Sequence, residues 1–176
     1  MIDFLKIKLL VCDCDGVLTD GSIIYDSNGG EIKKFSAHDG MGFRILKHSD
    51  IIPAIITGRK SKALECRCDD LSIKYLYQGK INKKKVLEAL LTELNIGFEN
   101  VAYVGDDWND FLAMEPCQLK IAPKDANATF KTKVDYITEN LGGHGAVRDA
   151  IEYILRKRNE FDKVLNSFME EFKQEK

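Results

Sequence analysis

The chain has 176 residues, 44% of them hydrophobic and 31% charged, with a net charge of -2. That length suits one domain with a sizeable core, and the charge balance gives no footing for a nucleic-acid partner, which calls for a basic surface. No stretch reaches the length of a membrane span, and Met1-Ile2-Asp3-Phe4 carries an acid where a signal peptide would be basic and then apolar. Cys12, Cys14, Cys66, Cys68 and Cys117 fall at spacings too short for zinc knuckles, so they read as free thiols, buried or partly buried. The expectation is a single cytoplasmic domain over residues 1–176 that does not engage a membrane.

In chain order, residues 7–12 read as a buried strand that ends in Asp13-Cys14-Asp15-Gly16. Residues 22–25 and 31–35 flank Ser27-Asn28-Gly29-Gly30, a good hairpin turn, which places a hairpin at about 21–36. Residues 41–47 predict a short helix, 51–56 a second buried strand, 60–70 a helix and 74–77 a short strand. Over 83–94, Val86, Leu87, Leu90, Leu91 and Leu94 recur at helical spacing with charges opposite. Residues 101–104 are another buried strand, 107–114 the helix after it, and 119–122 and 136–137 short strands. A helical tail over about 146–172 reads as one long helix or two, and its charged end, 170–176, is expected to fray. The alternation predicts an α/β fold: a Rossmann-like parallel sheet flanked by helices, with a β-hairpin flap after the first strand.

Two carboxylates one residue apart at a strand end are costly neighbours, because like charges raise one another's pKa unless a cation sits between them. A hard metal ion with oxygen ligands relieves that tension. Thr57-Gly58-Arg59 follows the second buried strand, and Gly105-Asp106-Asp107 with Asn109-Asp110 follows the strand at 101–104. In open α/β sheets such carboxyl ends line the ligand crevice. With a lysine from the 83 region, they supply carboxylates, a hydroxyl, free backbone N–H groups and an ammonium, the inventory of phosphoryl transfer. Each alone has a plainer reading. Asp-Gly is common in turns, Thr57 can cap a helix, Asp107 and Asp110 suit a helix N-terminus, and lysines suit a solvated face.

The four segments in this order resemble the haloacid dehalogenase superfamily of aspartate-nucleophile phosphatases. The resemblance implies that Asp13 attacks phosphorus and that Asp15 protonates the leaving alcohol and then activates water. It implies Mg²⁺ held by Asp13, the backbone carbonyl of Asp15 and Asp106, with Asp107 or Asp110 ordering the groups behind the metal. Thr57 and the Gly58 N–H would bind phosphate. Among Lys80, Lys83, Lys84 and Lys85, the spacing from Gly79 selects Lys83 as the lysine that neutralises the transferring group. Further stretches, among them Asp39-Gly40-Met41-Gly42 and Gly142-Gly143-His144-Gly145, narrow the resemblance to sugar-acid phosphatases that lack a large cap. The implied substrate is an eight-carbon sugar-acid phosphate of lipopolysaccharide precursor synthesis, with a nine-carbon sialic-acid-type phosphate as the alternative. Arg59 is placed to pair with the sugar-acid carboxylate. The implied assembly is a homotetramer in which hairpins meet and a neighbour supplies the lid. A reading from another class is a non-catalytic oligomerisation module, as in related cytidylyltransferase-fused domains.

Overall fold

The buried run Leu9–Cys12 forms the central strand, β1, of a six-stranded sheet in the computed structural model, which describes residues 2–174. The strand order is β5 (Tyr75–Tyr77), β4 (Ile52–Ile56), β1, β6 (Val101–Val104), β7 (Leu119–Ala122) and β8 (Tyr136–Ile137). Every pairing in this sheet is parallel. A parallel sheet must be covered on both faces, which is why its strands read as unbroken apolar runs.

Alternation along β1 divides the core. Leu10 and Cys12 pack with Phe43 and Ile45 of α1 (Ala37–Leu46), Leu64 and Cys68 of α2 (Lys62–Leu71), Ile151 of α5 (Ala146–Lys157) and Phe168 of α6 (Phe161–Gln174). Leu9 and Val11 face the other way, onto Leu87 and Leu90 of α3 (Lys83–Leu94) and Met114 of α4 (Trp108–Met114). Each such fully buried aliphatic side chain stabilises the fold by roughly 1.5–3 kcal/mol relative to exposure.

The hairpin is present as β2 (Ile24–Tyr25) and β3 (Glu31–Ile32), shorter than the pattern suggests. Its turn is tied by Asp26 Oδ1, which accepts from Asn28 N at 2.8 Å and Gly30 N at 2.7 Å. Helix α1 begins at Ala37, four residues before its expected start at Met41, because the Ser36 hydroxyl accepts from His38 N and Asp39 N. Asp39 and Gly40 therefore lie within the helix. The tail resolves into two helices, separated at Asn159, whose φ is +57°. Helix α6 runs to Gln174, and 175–176 lie outside the described residues. Val164 and Phe168 anchor α6 in the core, and His48 contacts Ser167 and Glu171, each at 3.2 Å. Four thiols are buried, whereas Cys66 is exposed on the outer side of α2. No helix among the described residues is long and apolar enough to cross a membrane.

Candidate active site

Strand register brings the reactive segments to one edge. Cys12 is level with Ile55 of β4 and Val104 of β6. One step further, Asp13 N donates to Val104 O at 3.0 Å, and Thr57 and Asp106 leave their strands just beyond. The chain then turns tightly: Cys14 O accepts from the N–H groups of Val17, Leu18 and Thr19. Gly16 sits in this turn with φ +84°, and a Cβ there would lie 2.2 Å from Asp106 Oδ2. Only glycine gives both the left-handed backbone and the room that Asp106 occupies.

Asp13, Asp106 and Asp110 each place a carboxylate oxygen within 4.8 Å of the others. The one ammonium among them is Lys83, buried at the first turn of α3, with Nζ 2.7 Å from Asp110 Oδ1 and 2.9 Å from Asp13 Oδ1. Lys80 and Lys85 are exposed and Lys84 half-buried. Asp110 is fully engaged: Oδ1 accepts from Lys83 and from the Tyr103 hydroxyl at 3.1 Å, and Oδ2 from Asp106 N at 3.2 Å. Asp107 instead caps α4, accepting from Trp108 N at 2.8 Å, and is exposed. Of the two acids expected behind the metal, Asp110 is the one joined to the cluster.

Three carboxylates against one ammonium leave a charge deficit. Burial first, then the charges of Asp110 and Asp13, push the Asp106 carboxyl up to about 8. Burial also raises Asp13 and Asp110, with Lys83 opposing it. Burial disfavours the Lys83 ammonium, but Asp110 and Asp13 outweigh it and keep its pKa above the ordinary lysine value. Asp13 Oδ1 is buried, with Lys83 as an ion contact but no aligned hydrogen-bond donor. Three clustered hard oxygen donors that share one ammonium, with the Asp106 carboxyl raised, fit a divalent cation. Asp13 and Asp106 have carboxylate oxygens to offer it, whereas Asp110 is committed to Lys83, Tyr103 and the Asp106 backbone.

Thr57 is buried at the end of β4, with its N–H donating to Tyr77 O at 2.9 Å. Beside it, a Cβ on Gly58 would meet nothing within 4 Å, so this backbone faces open space. Arg59 is engaged by the hairpin on one side of its guanidinium. Its Nη2 donates to Glu31 Oε1 at 2.8 Å and to the Tyr25 hydroxyl at 2.9 Å, and its Nε lies 3.7 Å from Asp15 Oδ2. The other Asp15 oxygen is bonded by Lys33. Sequence reasoning missed Lys33, Glu31 and Tyr25. Their signal was the Glu31-x-Lys33 alternation, which puts both charges on one face of an extended chain. It also missed Tyr103, hidden in an apolar run.

A glycine loop closes the back of the site. Gly143 N donates to Val17 O at 2.9 Å, and a Cβ on Gly142 would lie 2.0 Å from Gly16 O. Asp39 fixes this loop from α1, accepting from Gly145 N at 3.3 Å and Arg148 N at 3.0 Å at the start of α5.

An aspartate pair on the carboxyl edge of a parallel sheet, with a buried lysine and a third acid beside it, defines a phosphohydrolase of the haloacid dehalogenase class. The haloacid dehalogenase-like hydrolase family matches residues 70–151. The 3-deoxy-D-manno-octulosonate 8-phosphate phosphatase KdsC of Escherichia coli K12 is 46% identical over 157 residues, covering 89% of this chain and 84% of that protein. The corresponding phosphatase of Moraxella catarrhalis, solved with a magnesium ion, a phosphate ion and a KDO molecule, superposes with a TM-score of 0.89 at 40% identity, covering 94% of this chain and 97% of that one. The cobalt-bound Haemophilus influenzae phosphatase gives a TM-score of 0.84 at 38% identity, covering 89% and 92%. The chain belongs to the family of 3-deoxy-D-manno-octulosonate 8-phosphate phosphatases.

Proposed function

We infer that this protein hydrolyses 3-deoxy-D-manno-octulosonate 8-phosphate to the free sugar acid and inorganic phosphate, a Mg²⁺-dependent step of lipopolysaccharide precursor synthesis. The observation that carries this reading is the 46% identity to KdsC across 89% of the chain. The clustering of Asp13, Asp106 and Lys83 at the sheet edge supports it.

The carboxylates of Asp13 and Asp106 and the backbone carbonyl of Asp15 would hold Mg²⁺. Bound there, the ion would supply positive charge to the phosphoryl oxygens. Thr57 and the Gly58 N–H donate hydrogen bonds to the phosphate, and Lys83 adds its ammonium. Asp13 attacks phosphorus as the bond to the sugar oxygen breaks, giving an aspartyl-phosphate. Asp15 gives its proton to the departing sugar oxygen. It then takes a proton from the water that attacks the aspartyl-phosphate, which releases inorganic phosphate and restores Asp13. Asp110 holds Lys83 in place, and Asp107 acts as the cap of α4. Arg59 is 41% exposed, which leaves part of its fork to meet the sugar-acid carboxylate from the solvent side.

The homotetramer is part of this proposal. Ile24, Tyr25 and Ile32 are all exposed on the hairpin, and a two-stranded hairpin is marginal without partners. Neighbouring hairpins would cover these side chains and lend each site a lid. Five free thiols suit the cytoplasm as its compartment.

A panel of sugar-acid phosphates tests the substrate. The eight-carbon 8-phosphate is expected to be turned over at least about tenfold faster, by kcat/KM, than a nine-carbon 9-phosphate or a generic phosphomonoester, a difference of about 1.4 kcal/mol in transition-state binding. Equal rates across the panel would overturn the assignment.

Metal dependence has a direction with pH. Without metal the Asp106 carboxyl sits at about 8, far above an unfolded aspartate, so the metal-free fold loses stability as pH rises from about 4 toward 8. Mg²⁺ must displace that proton below pH 8, and its affinity should rise up to about tenfold per pH unit there. Chelation is therefore expected to lower the melting temperature more at pH 8 than at pH 6. An equal loss at both pH values would contradict the placement of the metal at Asp106.

A further inference from the structure

The chain after β3 keeps strict alternation. Glu31, Lys33 and Phe35 turn toward the body of the protein, and Ile32 and Lys34 turn away. The Lys34 side chain is 61% exposed, whereas that of Lys33 is 2% exposed. Burying a lysine is costly unless its charge is paired. Here it closes a ring: Lys33 pairs with Asp15, Asp15 faces Arg59 at 3.7 Å, Arg59 pairs with Glu31 at 2.8 Å, and Glu31 faces Lys33 at 3.6 Å. Cations and anions alternate around the ring when Asp15 is the carboxylate, the form in which it takes a proton from the attacking water. The Tyr25 hydroxyl accepts a further hydrogen bond from Arg59 and ties the other strand of the hairpin to it.

We propose that Lys33 is a positioning residue for the phosphatase reaction: the hairpin delivers its ammonium to Asp15 and fixes the direction in which that carboxylate transfers protons. This rests on the reading of Asp15 as the proton-transferring acid. The Asp15 backbone is held by the turn at 14–19, but its side chain is 20% exposed, and among the described residues its ion-pair partners are Lys33 and Arg59. A carboxylate that must reach the sugar oxygen and then water needs a fixed orientation, and a misplacement of about 1 Å costs on the order of 100-fold. Hairpin docking does not itself require Lys33. Arg59 already latches Glu31 and Tyr25, and Phe35 packs against the core. The ring also makes the hairpin part of the site within one chain, before any neighbour is considered.

The test is steady-state kinetics of the full-length enzyme with Mg²⁺ and the eight-carbon sugar-acid phosphate. Lys33→Met should lower kcat by about 30- to 100-fold, with KM changed less than about threefold. Lys33→Arg should recover part of the loss, and Lys34→Met, which removes the neighbouring outward charge, should behave as wild type. The decisive readout is coupling: Lys33→Met combined with Asp15→Asn should be no slower than Asp15→Asn alone, within about twofold. Full kcat in a folded Lys33→Met protein, a change confined to KM, or losses that multiply in the double variant would each overturn the proposal. Should Lys33→Met not fold, Lys33→Gln is read by the same criteria. An inactive wild type, or a fully active Asp15→Asn, would instead refute the catalytic reading on which the proposal stands.

Discussion

Asp13→Asn should leave a folded protein whose kcat for phosphate release is lower by at least about 10³-fold. The substitution keeps the size of the side chain and an oxygen facing Lys83, so the packing at the end of β1 has no reason to change. What it removes is the nucleophile, since an amide does not form the acyl phosphate through which the reaction runs. It also takes one negative charge out of a group of three carboxylates held within 4.8 Å. The metal-free variant should therefore melt at or above the wild-type temperature while being inactive, a combination that a merely misfolded variant does not show. Phosphate release is measured with a coupled colorimetric assay, and stability by thermal unfolding in EDTA. Turnover above about one per cent of wild type would remove Asp13 from the nucleophile's role. Absence of turnover in the wild type across the substrate panel would favour the oligomerisation-module reading instead.

Much of the edge that carries Asp13 was legible because a parallel sheet exposes its chemistry in a regular way. Each buried strand ends where polar residues begin, and the strands at 9–12, 52–56 and 101–104 are neighbours in the sheet. Periodicity also located α3, whose apolar face is unambiguous. It failed at α1, where Gly40 and Gly42 weaken the helical pattern and the Ser36 cap holds the only clear start signal. The assignment of acids behind the metal stayed open between Asp107 and Asp110, because spacing along a helix does not say which carboxylate turns inward. Burial does: Asp110 is fully buried against Lys83 and Tyr103, and Asp107 caps the helix from outside. Arg59 shows a deeper limit. Beside Thr57 it reads as a substrate ligand, yet its nearest acceptors come from a hairpin about 30 residues earlier in the chain. Such pairing depends on how the hairpin docks, and docking leaves only a faint trace in the alternation of residues 31–35.

Lys83→Met is expected to damage both stability and catalysis, and the damage should grow with pH. Lys83 is 3% exposed and contacts two buried carboxylates, so its removal strands Asp13 and Asp110 without a cation. Breaking a buried ion pair from one side costs about 3–5 kcal/mol. Methionine fills most of the volume, so the loss reflects charge and not a cavity. The sign follows from linkage. Burial already raises both acids in the native state, and Lys83 is what opposes the rise. Without it they climb further above their unfolded values near 4. A carboxyl raised on folding destabilises the native state above its unfolded pKa, and the full cost is reached once pH exceeds its folded pKa. At pH 5 both acids in the metal-free variant take up protons and the fold tolerates them. At pH 8 the deficit relative to wild type should be larger, and urea unfolding in EDTA at the two pH values measures it. Activity should fall by about 10²- to 10³-fold even where Mg²⁺ restores the fold, because the ammonium also faces the transferring phosphoryl group. A stability deficit that shrinks with rising pH would mean that Asp13 and Asp110 do not depend on Lys83 for their charge, and the buried network would need a different source of balance.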